Sequence, residues 1–154
     1  WLGRGKQYGG AMKIREIMTR NVQCISPGST LQEAARQMRD LDVGSLPVCQ
    51  NDQLLGMITD RDITVRCSAQ GKSPQEVKVQ DAMSTDLVFC FDDEDVDVAA
   101  DLMEERQIRR LPILDRNKRL VGIVALADLA TRQGDEKLSG EILQEISQPN
   151  QPHA

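Results

Sequence analysis

The stretch Leu55-Gly-Met-Ile-Thr-Asp-Arg-Asp62 decides the fold, because it returns later as Val121-Gly-Ile-Val-Ala-Leu-Ala-Asp128. Each copy is a short apolar run that contains a glycine and is followed by an aspartate. Outward from these two stretches, the similarity extends over residues 14–63 and 79–129. Neither copy is large enough to cover its own apolar face. The repeat therefore predicts pseudo-symmetric packing of two units, with ligand grooves between them.

Three further motifs recur in the same order. Met18-Thr19 returns as Met83-Ser84, and the helix-like segment from Leu31 to Met38 returns from Val96 to Met103. The strand-like segment Ser45-Leu-Pro-Val48 returns as Arg110-Leu-Pro-Ile113. Because all motifs keep their order and spacing, the similarity covers a whole folding unit rather than one local pattern.

Each repeat is predicted to run strand, helix, strand, strand, helix, which indicates an α+β fold with two pseudo-twofold β-α-β-β-α repeats. Val22 to Ile25 is the predicted first strand, and Asn51-Asp52 the hairpin turn. Thr30 with Glu33 forms a capping box at the start of the first helix. The i, i+3, i+4, i+7 spacing predicts one buried helix face in each repeat. These faces are Leu31, Ala34, Ala35 and Met38, and Val96, Ala99, Ala100 and Met103.

The repeats set the predicted domain boundaries. The Gly-rich, basic beginning of the chain reads as a disordered tag or leader, with Met12 a plausible natural start. The end of the chain carries apolar residues at helical spacing. The predicted order is 1–12 leader, 13–70 first repeat, 71–78 connector, 79–133 second repeat and 134–154 tail with a short helix.

Composition excludes several function classes. The 154 residues carry a net charge of −5 and the pI is near 4.9, which disfavours binding to nucleic acid or to anionic membranes. No apolar run approaches the roughly 20 residues that span a bilayer. Without a recognisable signal peptide, a cytoplasmic location is expected.

Cysteines at positions 24, 49, 67 and 90 form no CxxC pair, and the single histidine is His153. A metal site is therefore not expected. Two interpretations of the cysteines stay open. They are small buried apolar residues of a reducing compartment, or Cys24 and Cys49 form a redox pair. The second interpretation follows from a βαβ crossover, which would bring their two strands side by side.

With these motifs in place, the chain resembles a tandem pair of cystathionine-β-synthase (CBS) domains, the Bateman module, of the stand-alone bacterial type. The resemblance covers roughly residues 13–133. It implies two clefts between the repeats that take adenosine-containing ligands: AMP, ADP or ATP, and less often NAD or S-adenosylmethionine. It also implies a homodimer formed through the helices and a regulatory role toward an unidentified partner protein.

The resemblance implies that the cleft with the stronger ligand binding is the one built on Asp62 of the first repeat. A carboxylate accepts hydrogen bonds from both ribose hydroxyls, and Asp62 with Thr59 matches the family's Thr-x-x-Asp pattern. The base and the phosphates would contact the other repeat, where arginine makes charge-assisted bonds to phosphate. The expected ligand-binding residues are Thr59, Arg61, Asp62, Leu87, Val88, Ile108, Arg109, Arg110 and Pro112.

The second cleft is expected to bind more weakly. It is built on Asp128, but Ala125 replaces the threonine, and no arginine stands where Arg109 and Arg110 stand in the first set. Its expected residues are Val22, Gln23, Ser45, Pro47 and Asp128. The sequence therefore predicts one competent cleft per chain.

A non-ligand interpretation stands beside each assignment. Asp62 and Asp128 sit where helix N-terminal acids are stabilised by the helix dipole, and Arg109-Arg110 fits a solvated surface pair. No catalytic or nucleotide-hydrolysis motif is present in the sequence, which predicts a protein that is not an enzyme and requires no cofactor. A ligand-free scaffold protein and a fragment of a larger enzyme or transporter are the alternatives.

Overall fold

The computed structural model describes residues 12–133, with side chains described through residue 129. The predicted leader before Met12 and the predicted tail helix over 134–154 lie outside the described residues. No helix among the described residues is both long and apolar enough to cross a bilayer.

The first repeat begins with a 3-10 turn, Ile14–Glu16, and continues with regular elements. They are α1 (Leu31–Leu41), β1 (Ser45–Gln50), β2 (Gln53–Thr59) and α2 (Asp60–Arg66), followed by a second 3-10 turn, Ser68–Gln70. The second repeat has the same helix-strand-strand-helix order, preceded by a short helix and a two-residue strand. Its elements are α3 (Val79–Ala82), β3 (Cys90–Phe91), α4 (Val96–Arg106), β4 (Arg110–Leu114), β5 (Leu120–Ala125) and α5 (Leu126–Gln133).

The predicted α+β class is confirmed by two small sheets. One consists of the antiparallel hairpin β1–β2, with an irregularity between Val48 and Cys49. The other has the order β3-β4-β5, with β3 parallel to β4. Asn51 and Asp52 both have positive φ, as the predicted two-residue hairpin turn requires.

The prediction of a strand over Val22 to Ile25 is wrong for most of its length. Only Ile25 pairs with a neighbouring strand, through a parallel bridge to Val48. Val22, Gln23 and Cys24 have no regular secondary structure. An apolar–polar alternation indicates that a segment can extend, but the length of a strand depends on how much of it finds a partner.

The predicted capping of α1 is seen in one bond, because Oγ1 of Thr30 accepts from the Glu33 N–H at 3.2 Å. On the same helix, Leu31, Ala34 and Met38 are buried, but Ala35 is exposed, contrary to the prediction. Ala35 therefore lies outside the buried stripe of α1. In α4 the predicted face is confirmed, since its four residues are all buried.

The described residues form two compact units. The Asp62 unit consists of Gln23–Leu87 with Lys118–Leu120, and the Asp128 unit consists of residues 12–22, Val88–Asn117 and residues 121–133. The core of the Asp62 unit is formed by Ile25, Leu31, Ala34, Met38, Leu46, Val48, Ile58, Cys67, Val79 and Ala82. The core of the Asp128 unit is formed by Ile14, Ile17, Met18, Cys90, Val96, Ala99, Ala100, Met103, Leu111, Ile113, Val124, Leu126 and Leu129.

Two motifs, the Met-Thr box (Met18-Thr19) and the Met-Ser box (Met83-Ser84), each begin one repeat but belong to the compact unit formed mainly by the other repeat. Thr19 exchanges backbone hydrogen bonds of 2.9 and 3.0 Å with Ile123 of β5. Ser84 exchanges bonds of 2.9 and 3.0 Å with Met57 of β2. Each box thus adds a short antiparallel contact to the returning strand of the other repeat, and each unit draws on both halves of the sequence.

Candidate functional site

The candidate site of the Asp62 unit is the turn at which β2 ends and α2 begins. Thr59 is the N-cap of α2 and has extended backbone angles. Its Oγ1 accepts a hydrogen bond from the Asp62 N–H at 3.0 Å. In return, the Thr59 N–H donates to Oδ2 of Asp62 at 2.9 Å. This reciprocal capping box fixes both side chains with respect to the backbone.

Backbone and side-chain bonds hold the turn in place. The Asp60 N–H donates to the Gly44 carbonyl at 3.0 Å, which ties the start of α2 to the segment before β1. Asp60 itself is exposed, and the N-cap position belongs to Thr59 rather than to Asp60. Asp62 therefore takes part in capping α2, as its position at the start of the helix allowed.

Arg66 contributes to this site, although the sequence interpretation did not include it. Its Nε lies 4.0 Å from Oδ1 of Asp62. Its Nη1 donates to the carbonyls of Ala82 and Met83 at 3.2 and 3.3 Å, which links α2 to the Met-Ser box. The sequence signal was available, because Asp62 and Arg66 have the i, i+4 spacing of helical ion pairs. Arg61, which had been expected beside the ligand, is exposed.

The equivalent turn of the Asp128 unit keeps only half of this arrangement. The Ala125 N–H donates to Oδ2 of Asp128 at 3.0 Å, and the Leu126 N–H donates to the Arg109 carbonyl at 2.8 Å. In the Asp62 unit, the corresponding bonds run from the Thr59 N–H to Asp62 and from the Asp60 N–H to the Gly44 carbonyl. Ala125 has no hydroxyl, however, so the reciprocal side-chain bond is missing.

The structure divides the predicted ligand-binding residues between the two units. Within the Asp62 unit lie Thr59, Arg61, Asp62 and Leu87, together with Gln23, Ser45 and Pro47 of the second predicted set. Within the Asp128 unit lie Val88, Ile108, Arg109, Arg110 and Pro112, together with Val22 and Asp128. Within the first set, two hydrogen bonds between side chain and backbone join Thr59 to Asp62. The remainder of each set stays a prediction.

Burial differs among these residues. Arg109 is exposed and Arg110 is partly exposed. Pro47 and Pro112 are buried in their strands. Val88 and Ile108 are partly buried against the core of the Asp128 unit. The arginines therefore have the accessibility that a phosphate ligand requires.

Cys24 and Cys49 both lie in the Asp62 unit, on segments joined by the Ile25–Val48 bridge. Both are free thiols. Cys24 is partly exposed and Cys49 is buried. Among residues 12–133, no group of three or more His, Cys, Asp or Glu side chains could hold a metal ion.

A separate charged cluster stands at the start of α4. The Arg116 guanidinium makes two bonds of 2.8 Å to the Asp93 carboxylate and stacks 4.1 Å from the centroid of the Phe91 ring. The bonds from Arg116 hold the pKa of Asp93 below its ordinary value. This forked pair links the loop after β4 to the turn that precedes α4.

Comparison with known proteins places these features in a family. The family model "CBS domain" matches twice, over residues 14–68 and 79–135. The chain is 45% identical over 137 residues to the CBS domain-containing protein YhcV of Bacillus subtilis, covering 89% of this chain and 96% of that protein. It is 38% identical over 117 residues to Hypoxic response protein 1 of Mycobacterium tuberculosis, covering 75% and 81% respectively. It also resembles the crystal structure of Hypoxic Response Protein I with two coordinated zinc ions, with a TM-score of 0.71 and 37% identity over 77% of this chain and 97% of that one.

Proposed function

The chain belongs to the CBS domain family as a tandem pair of CBS domains, and from this premise we propose that it is a regulatory module that binds an adenosine-containing ligand. The expected ligands are AMP, ADP and ATP, ahead of NAD and S-adenosylmethionine. Asp62 is the proposed ribose-binding carboxylate. The role is non-catalytic: binding favours one conformation of the module, and that shift alters a regulated partner protein.

The observation that carries the proposal is the hydrogen-bonding state of the Thr59–Asp62 turn. Oδ2 of Asp62 accepts from the Thr59 N–H. Among the described residues, Oδ1 has only the long contact of 4.0 Å with Arg66. The hydroxyl of Thr59 accepts from the Asp62 N–H and keeps its proton for donation. The turn therefore offers one carboxylate acceptor and one hydroxyl donor, which suits a vicinal diol.

The phosphates are assigned to Arg109 and Arg110, as expected from the family resemblance. Their support is charge and accessibility, since Arg109 is exposed and Arg110 partly exposed. Guanidinium groups bind phosphate oxygens through paired, charge-assisted hydrogen bonds. We therefore expect nucleotides with phosphates to bind more tightly than adenosine.

The Asp128 turn supports an asymmetric proposal. Asp128 accepts the same backbone bond as Asp62, but Ala125 supplies no hydroxyl donor. A ligand at Asp128 would lose one hydrogen bond to its sugar, which is worth about 0.5–1.5 kcal/mol in a typical case. We propose one strong nucleotide site per chain, with Asp62 as its centre.

A homodimer formed through the helices is the second part of the proposal. It is supported by two exposed apolar side chains on helices of the Asp62 unit, Leu41 (41% exposed) at the end of α1 and Val65 (45% exposed) on α2. Burial of such side chains on association would be favourable. Analytical ultracentrifugation of Val65→Asp against wild type tests this, and an unchanged dimer in the variant would exclude Val65 from the interface.

Calorimetric titration with adenosine, AMP, ADP, ATP, NAD and S-adenosylmethionine tests ligand binding. Asp62→Ala should abolish binding of the preferred ligand, whereas Asp128→Ala should leave it nearly unchanged. Asp128→Ala is a matched control, because both variants lose one backbone capping bond of the same kind. In wild type, a ligand at 100-fold its Kd should raise the free energy of unfolding by about 2.7 kcal/mol.

The alternative is a ligand-free scaffold with the same fold. It is favoured by the capping box itself, because Thr59 and Asp62 already satisfy each other's backbone groups. Absence of thermal stabilisation by every compound in the panel would favour the scaffold. Loss of binding in Asp128→Ala with retention in Asp62→Ala would reverse the site assignment.

A further inference from the structure

Cys24 and Cys49 lie on two neighbouring chain segments that are fixed by backbone bonds. Between them, the Ile25 N–H donates to the Pro47 carbonyl at 2.9 Å, and the Cys49 N–H donates to the Ile25 carbonyl at 3.0 Å. Ile25 and Val48 form the bridging pair and are buried in the core. Each cysteine adjoins one member of this pair, and neither cysteine belongs to the core of the Asp62 unit.

The segment that carries Cys24 is also held from its other side. Nε2 of Gln37 on α1 donates to the Cys24 carbonyl at 3.1 Å. Both cysteines therefore have a defined backbone position, although Cys24 lies outside regular secondary structure. Fixed backbone positions favour a disulfide, because its geometry tolerates little displacement of the two backbones.

Each of the two thiols affects the pKa of the other. A side-chain hydrogen bond from Cys49 lowers the pKa of Cys24, against the opposing effects of burial and of the Asp52 charge. The same hydrogen bond, followed by burial and by the charges of Cys24 and Asp52, raises the pKa of Cys49. Cys24 is also the more exposed of the two. Accessibility and thiolate character therefore coincide at Cys24.

The other two cysteines differ in surroundings and serve as internal comparisons. Cys67 is completely buried and its thiol donates to the Lys72 carbonyl at 3.3 Å. Cys90 is buried in the Asp128 unit, and burial raises its pKa to about 12.

We propose that Cys24 and Cys49 form a reversible dithiol–disulfide site that is oxidised by low-molecular-weight disulfides. The Cys24 thiolate attacks one sulfur of the reagent, whose S–S bond breaks and releases one thiol. Cys49 then loses its proton and attacks the Cys24 sulfur of the mixed disulfide, which releases the second thiol. The two cysteines lose two electrons and two protons, and both appear in the two thiols released.

The second step is helped by the first. The Cys24 thiolate and its hydrogen bond are two of the causes that hold the proton on Cys49. Once the Cys24 sulfur is covalently bound, it no longer carries a negative charge. Only burial and the charge of Asp52 then still raise the pKa of Cys49. Attack by Cys49 is also intramolecular, so it competes well against a second molecule of reagent.

The bridge would have a structural effect inside the Asp62 unit. It would join the chain segments before and after α1, closing a loop that contains the entire helix. Closing such a loop restricts the unfolded chain, and the expected result is a rise in melting temperature on the order of 10 °C. The site does not depend on nucleotide binding, because neither thiol belongs to the Thr59–Asp62 turn.

The test is equilibration of the full, folded chain in buffers of graded oxidised-to-reduced glutathione ratio, followed by acid quench, alkylation and mass spectrometry. The expected result is a non-reduced peptide pair that links Cys24 to Cys49, an intact mass lower by two hydrogens, and a higher melting temperature. Excess reduced glutathione should reverse all three changes.

Variants separate the two steps. Cys49→Ser should accumulate a persistent glutathione adduct on Cys24, because no resolving thiol remains, and Cys67→Ala should still form the bridge. The proposal is overturned if wild type retains the Cys24 adduct without forming the bridge, if neither thiol reacts, or if Cys24 links to Cys67 or Cys90 instead. The wild-type experiment decides the matter even where a variant folds poorly.

Discussion

Gly56 of β2 lies directly against the main-chain carbonyl of Ser84, so that a Cβ at position 56 would overlap the carbonyl oxygen. The adjacent residue, Met57, exchanges two backbone hydrogen bonds with Ser84. The second repeat has the same close approach, since a Cβ on Gly122 would stand 2.5 Å from Sδ of Met18. Glycine recurs in the two motifs because the box of the other repeat packs against the strand at that point.

Gly56→Ala should therefore destabilise the protein by about 1–3 kcal/mol, the usual range for overpacking a tight contact. Gly28→Ala is the matched control, because a Cβ on Gly28 meets nothing within 4 Å, and its effect should stay within about 0.5 kcal/mol. Urea denaturation of both variants measures the difference. Equal stability of the two variants would contradict the close approach at Gly56.

The two capping turns predict opposite changes in stability when Thr59 is replaced by alanine and when Ala125 is replaced by threonine. Thr59→Ala removes the side-chain bond to the Asp62 N–H and should cost about 1 kcal/mol of stability. Ala125→Thr should gain up to about 1 kcal/mol, because Asp128 already accepts the Ala125 N–H and only the hydroxyl is missing. Thermal unfolding of both variants at several pH values provides the test. Destabilisation by Ala125→Thr would mean that the second turn cannot accommodate the hydroxyl.

The Asp93–Arg116 pair predicts that a mutation of Arg116 changes the pKa of Asp93. Its bonds to Arg116 hold the pKa of Asp93 below the ordinary value, which is about 3.9 for an unperturbed aspartate. Stabilisation from this group is present above that value and is lost as the pH falls through the lowered pKa. NMR titration should show the Asp93 pKa rising in Arg116→Gln and unchanged in Arg39→Gln, whose ion pair is with Asp40. Because the pair is exposed, added salt should reduce the shift.

The buried thiol of Cys90 predicts that the stability of the protein decreases at alkaline pH. Burial, with the charge of Glu94 second, raises the pKa of this thiol to about 12, whereas the unfolded thiol titrates near 8.5. The folded state therefore holds the proton more strongly, and its contribution is complete below about pH 8.5 and declines toward pH 12. Relative to Cys90→Val, wild type should lose about 1.4 kcal/mol per pH unit within that window. Parallel pH profiles for the two proteins would contradict this.

Much of the fold follows from local patterns in the sequence. The duplicated apolar spacing locates α1 and α4 because amphipathic helices bury one face. Asn51-Asp52 locates the β1–β2 hairpin because both residues tolerate positive φ. The Asp62 and Asp128 turns were identified from the strand-to-helix transition, and the structure shows the backbone bond that each carboxylate accepts.

What the sequence left undetermined depends on contacts between distant residues. The extent of pairing around Ile25 and the exposure of Ala35 are set by neighbours that periodicity does not identify. The assignment of each Met box to the opposite unit is equally non-local, because Thr19 finds its partner at Ile123. Arg66 was not among the predicted site residues, and Arg61 was expected there because it lies at the start of the same helix. Its contacts with Ala82 and Met83 require a helix–helix packing that no short motif encodes.

The exchange of the two Met boxes has a consequence for synthesis on the ribosome. Residues 12–22 emerge early, yet Ile123, the partner of Thr19, is translated about a hundred residues later. Ile14 and Ile17 are core side chains of the Asp128 unit, and they must remain without that core until the second repeat has been translated. The Asp62 unit acquires Ser84, the partner of Met57, far sooner. The nascent chain is therefore expected to complete its units in the reverse of the order in which their first segments appear.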